Sequence, residues 1–82
     1  MEKQATFQAE LTDTFGGEAN YSYVIRKTFQ APFSASDAML VKRAKKALGY
    51  TGYPCRKESM GDAIALYPFN ECRVIFIDVI EV

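Results

Sequence analysis

Thr12-Asp13-Thr14-Phe15-Gly16-Gly17-Glu18-Ala19-Asn20-Tyr21 is the stretch whose reading settles the fold. Two adjacent glycines permit the positive φ values of a two-residue hairpin turn, and strand-like residues lie on both sides. Pairing Phe15 with Glu18 sets a register. Phe7, Ala9 and Leu11 then fall opposite Arg26, Val24 and Ser22 on one face, which suits a core. Thr6, Gln8, Glu10 and Thr12 fall opposite Lys27, Ile25, Tyr23 and Tyr21 on the other, since strand side chains alternate between faces. That second face carries Tyr21, Tyr23 and Ile25 in a row.

Downstream, Ala31-Pro32-Phe33 ends the second strand because proline has no ladder donor. Ser34 or Ser36 caps a helix that has Asp37 in its first turn, where an acid suits the macrodipole. Leu40, Val41, Ala44, Ala47 and Leu48 form its apolar stripe, and Lys42, Arg43, Lys45 and Lys46 occupy the opposite arc. Gly49 ends it. Tyr50 to Cys55 reads as an aromatic-bearing loop with Gly52 and Pro54. A short strand at 55–58 turns at 59–62, and a strand at 63–67 is stopped by Pro68. Residues 72–80 form a last strand, apolar on both faces, which predicts a central position. The expected class is α+β: an antiparallel sheet of four or five strands with one helix packed on one face, order ββα(β)ββ, in a single domain spanning 1–82. One helix covers one face only. The other is expected to display Tyr21, Tyr23, Ile25 and one side of the last strand, a patch that suits a partner or a homodimer through the open sheet face.

Composition narrows the chemistry. With 49% hydrophobic and 13% aromatic residues the chain reads as globular rather than disordered. No apolar run approaches the ~18 residues of a membrane span, and Met1-Glu2-Lys3-Gln4 has no signal-peptide pattern. A cytoplasmic location is expected, with Cys55 and Cys72 as reduced packing thiols. The chain has no histidine, so it lacks the commonest metal ligand and the commonest general base. Neither cysteine has a base to activate it, and Glu58 and Asp62 sit in a turn. No catalytic residue, metal or cofactor is therefore expected. The loop Tyr50-Thr51-Gly52-Tyr53-Pro54-Cys55-Arg56-Lys57 lacks the phosphate-loop spacing. It offers Tyr53, Arg56 and Lys57 to a partner instead.

Charge is blocked along the chain. Residues 21–57 hold eight bases against Asp37 alone, a net +7, while residues 1–20 and 58–82 carry −3 and −4. Lys42, Arg43, Lys45 and Lys46 have no acid one helical turn away. A solvated helix face near a C-terminus would accommodate such cations. The density points further, to an acidic protein surface or to phosphates. The expected contacts are Lys42, Arg43, Lys45 and Lys46, with Arg56 and Lys57 beside them and Tyr21, Tyr23 and Tyr53 as aromatic anchors. Aromatic stacking on unpaired bases would serve a direct nucleic-acid-binding domain, the alternative reading.

The stretch from Asp13 to Ser22, continuing through Tyr23 to Val24, resembles small proteins encoded by bacterial prophages, phages and mobile elements. Arg43-Ala44-Lys45 on the helix and the Gly61-Asp62 turn before an apolar strand fit the resemblance. Proteins of that size and origin include anti-CRISPR inhibitors. The resemblance thus implies a non-catalytic protein that docks on a host protein or nucleoprotein complex and inhibits it sterically.

Overall fold

A computed structural model describes residues 3–16, 18–61 and 63–81. Its elements are β1 (Gln4–Phe15), β2 (Glu18–Pro32), α1 (Asp37–Leu48), β3 (Cys55–Met60), β4 (Ala63–Pro68) and β5 (Arg73–Glu81). All pairings are antiparallel and the sheet order is β2-β1-β5-β4-β3. The fold is α+β with one helix on a five-stranded sheet. β5 lies at the centre, as its two apolar faces require: Val74, Ile75 and Ile77 are all buried.

Local chemistry explains the helix ends. Ser36 is the N-cap, its Oγ accepting the Met39 N–H at 3.2 Å. Gly49 adopts φ 80° and returns its N–H to the carbonyls of Lys45 and Lys46, a conformation that costs glycine little. Ala44 is fully buried against Ala9, Leu11, Ile64, Leu66, Ile75 and Ile77, and Leu40, Val41 and Leu48 flank it. A second cluster of Ala5, Phe7 and Ala31 meets Leu40 and Ala35. Alanines on both sides of this contact let the helix lie close to β1 and β2.

The β1–β2 register departs from the sequence expectation. Phe15 pairs with Glu18 and Thr14 with Ala19, but Thr12 pairs with Val24. Four residues of β2 therefore oppose Asp13 alone, an offset of three residues. An odd offset exchanges the two faces of everything beyond it. Phe7 faces Phe29 rather than Arg26, Leu11 faces Ile25, and Glu10 faces Arg26. The gains are direct: Phe7 and Phe29 stack at 5.7 Å, and Arg26 Nε meets Glu10 Oε2 at 2.9 Å. The expected register would have set Phe7 against a guanidinium.

The face without a helix is accordingly polar along β1 and β2, presenting Thr6, Gln8, Glu10, Arg26, Thr28 and Gln30. Gln30 Nε2 donates to Thr6 Oγ1 at 2.7 Å across the strands. The aromatic row expected on this face is not there, because Ile25, and Tyr23 beyond it, belong to the helix-bearing side. With strands of 12 and 15 residues, the hairpin runs about 40 Å at the usual strand rise, matching the 43 Å long axis. The 12-residue helix reaches only about 18 Å. The turn end of the hairpin projects beyond its cover. Gly16 there has φ 64°, as a tight turn requires, whereas Gly17 and the Asp62 of the β3–β4 turn lie outside the described residues.

Candidate docking surface

Asp13 organises the projecting end. Its Oδ1 accepts the Ser22 N–H at 2.9 Å and its Oδ2 accepts Asn20 Nδ2 at 3.0 Å, so one carboxylate ties both flanks of Tyr21. Tyr21 sits between them at φ 58°, a conformation that a bulky residue adopts only when held. The Asn20 amide, and after it Ser22, hold the Asp13 carboxyl down to about 2, against the opposing effect of burial. Thr12, fully buried, donates its hydroxyl to the Tyr23 carbonyl at 2.8 Å and closes the base of the protrusion. The result displays apolar surface: Phe15 is 80% exposed, Tyr21 53%, Ile25 44% and Tyr23 38%.

Tyr23 is partly engaged. The Arg73 guanidinium lies 5.9 Å from its ring centroid. Arg73 also donates to the Tyr50 hydroxyl at 2.9 Å, and that hydroxyl donates to Glu71 Oε1 at 2.8 Å. Burial pushes the Tyr50 phenol above its ordinary value, with Arg73 pulling the other way. Its hydrogen bond to Tyr50 raises Arg73 in turn. Tyr53 meets Tyr50 edge-on at 5.5 Å and donates its hydroxyl to the Phe69 carbonyl at 2.9 Å. Tyr53 therefore anchors the 50–55 loop to the β4–β5 turn, with its ring packed on the core. Its position explains that loop's shape before any contact with a partner.

The bases separate into two groups. Arg56 pairs with Glu58 at 3.2 Å and lies 4.4 Å over the Tyr67 ring. Lys57 reaches Asp37, in the first turn of α1, at 3.5 Å. Both are on β3, at the opposite edge of the sheet from β2, and both have acidic partners. On α1, Arg43 Nη1 donates to the Gln30 carbonyl at 2.6 Å, so it bridges helix and sheet edge. Lys42, Lys45 and Lys46 form no ion pair among the described residues. An open groove of 470 Å³ is lined by Ala38, Met39, Lys42, Arg43 and Lys46, and a second of 290 Å³ takes in Lys42 and Lys45 beside Thr51 and Gly52. The charge available to a partner is thus concentrated on one helix face.

The thiols remain apart and free. Cys55 is half-buried, its Sγ 3.5 Å from the Tyr53 carbonyl, and burial raises its thiol while Lys45 lowers it. A raised thiol is a poor nucleophile at neutral pH. Among the described residues no three acidic or cysteine side chains gather as a metal site would need, and no helix is long and apolar enough to cross a membrane. A partly open cavity beneath the N-terminus of α1, lined in part by Phe7, Asp37, Leu40 and Ile77, holds 70 Å³, room for water rather than substrate.

No protein-family model, curated protein or solved structure matches the chain. The roles of these residues therefore rest on their geometry and charge.

Proposed function

We propose that the chain is a non-catalytic binding protein of phage or mobile-element type, which docks on a host protein or nucleoprotein complex and inhibits it sterically, as anti-CRISPR proteins do. The observation that carries this is the row Lys42, Lys45 and Lys46, which lines two open grooves and forms no ion pair among the described residues, while Arg56 and Lys57 are matched by acids. Paired surface cations contribute little to a partner's field, whereas unmatched ones attract an acidic surface and speed its encounter. The exposed Phe15 and Tyr21 on the projecting hairpin supply the apolar contact that such an interface needs at its centre. No cofactor enters, and a host complex of this kind would be met in the cytoplasm.

The test is affinity capture from host lysate, with and without nuclease, comparing wild type with a Lys42/Lys45/Lys46→Ala variant. A protein partner retained by wild type after nuclease, and lost by the variant, is the expected result. Equal capture by both would reduce the lysines to solvated surface and sink the proposal. The same lysines favour a second reading, direct nucleic-acid binding. In that case affinity for an oligonucleotide falls steeply with salt, with a slope of about −0.7 to −0.9 per phosphate neutralised.

A further inference from the structure

The outer edge of β2 brings backbone, charge and an apolar groove together. The Phe33 N–H donates to the Lys3 carbonyl at 2.7 Å, which turns that residue's backbone toward β1. The regular register from Pro32 back to Val24 carries the alternation down the strand, so odd-numbered residues face β1 and even-numbered ones face outward. Gln30 agrees independently, since its carbonyl accepts Arg43 Nη1 from outside the sheet. The N–H and C=O groups of Val24, Arg26 and Thr28 therefore point away from the sheet, on a terminal strand with no neighbour among the described residues. Beside this edge Phe29, Arg43, Lys46 and Ala47 line an open groove of 540 Å³. Lys27 adds a further cation on the helix-bearing face through its pairing with Ala9. The acid across from β2, Glu10, is taken by Arg26.

We infer that the β2 edge accepts an extended acidic segment of a protein partner as a sixth strand. Its backbone pairs with Val24, Arg26 and Thr28, its carboxylates meet Lys27, Arg43 and Lys46, and one apolar side chain enters the groove between Phe29 and Ala47. The inference rests on the docking function above and names the partner's chemistry. Strand addition draws affinity from main-chain hydrogen bonds and specificity from such side-chain pockets. A second copy fits poorly. Two β2 edges related by a two-fold axis place both helices on one face, cation against cation. A nucleic acid fits poorly for another reason: phosphates offer acceptors only and leave the outward carbonyls unmatched. The charges that keep identical edges apart thus select an acidic strand.

The probe is a fluorescein-labelled peptide alternating Val or Thr with Glu, run beside its Lys-for-Glu counterpart and a single-stranded oligonucleotide. The acidic peptide should bind, the basic one should not, and the amides of Val24, Arg26 and Thr28 should gain hydrogen-exchange protection. Thr28→Pro removes an outward donor at an edge position where proline is tolerated, and should weaken binding by at least about tenfold. Unchanged binding by Thr28→Pro, no protection at those amides, or binding of the oligonucleotide in place of the peptide would each overturn strand addition. The exchange measurement needs no variant, so it stands even where Thr28→Pro does not fold. Host capture separates this failure from a wider one. A partner kept by Thr28→Pro and lost by Lys42/Lys45/Lys46→Ala removes the strand and leaves docking; one kept by both removes each.

Discussion

The Asp13 carboxylate accepts the Ser22 backbone N–H at 2.9 Å, and this bond lies across the three-residue offset between β1 and β2, beside those from Asn20 to Asp13 and from Thr12 to Tyr23. Because the folded carboxyl is held down to about 2, below its ordinary 3.8, its contribution has a definite sign. It is fully present above the ordinary value and is lost as pH falls through the folded one. Urea midpoints measured between neutral pH and pH ~2 should therefore decline in wild type below pH ~4. Asp13→Asn should start lower at neutral pH and show a shallower decline. An identical acid profile in both proteins would mean that another carboxylate sets it.

Phe29 tests the register itself. It stacks on Phe7 only because the bulge exchanges the faces of β2. Phe29→Ala should destabilise by about 2 kcal/mol or more, less than a fully buried Phe→Ala because the ring is partly exposed. Leu66→Ala, at a fully buried site, should cost about 2–5 kcal/mol. Chemical denaturation of both variants checks the order. A Phe29→Ala cost near zero would contradict the pairing described.

What the chain betrayed in advance follows from the range of each signal. The hairpin turn, the helix with its Ser36 and Gly49 ends, and the central β5 are set by local chemistry or by one segment's own pattern. The offset was missed because strict alternation from the turn assumes no bulge. Its signal was present nonetheless: Phe7 with Phe29 and Glu10 with Arg26 both match only when β2 slips by three residues, and Asp13 and Asn20 favour local backbone capture. The basic arc was visible as composition. That Arg43 is tied to Gln30, and Lys57 to Asp37, was not, because both contacts join segments brought together only by packing.

Arg43 and its lysine neighbours should separate cleanly. Arg43→Ala removes a charge-assisted bond to the Gln30 carbonyl and uncovers the β2 edge. We expect a loss of about 1 kcal/mol, together with a greater tendency to associate at high concentration. Lys42→Ala and Lys46→Ala, which break no ion pair among the described residues, should stay within about 0.5 kcal/mol of wild type. Thermal melts and sizing across a concentration series read both effects. Equal stability loss at all three positions would assign the lysines a structural role and weaken their use as a docking surface.

Tyr50 offers a test of the polar cluster that braces the hairpin. Its hydroxyl bridges Glu71 and Arg73, which otherwise approach each other only at 3.8 Å. Tyr50→Phe keeps the packed ring and deletes the bridge. Both charged partners reach solvent, so the expected cost is about 1 kcal/mol rather than that of a stranded buried charge. The phenol's raised value gives the pH signature. Tyr50 favours the folded state below the ordinary tyrosine range, and this is lost as pH rises through its higher folded value. In a spectrophotometric titration the variant should lack one late-ionising phenol, while Tyr53, also raised by burial, keeps its own. Since Arg73 lies against both Tyr50 and Tyr23, freeing it should also broaden the Tyr23 ring signals in NMR. Unaltered Tyr23 resonances would show that the Arg73 contact does not brace the hairpin end, leaving that role to Asp13 and Thr12.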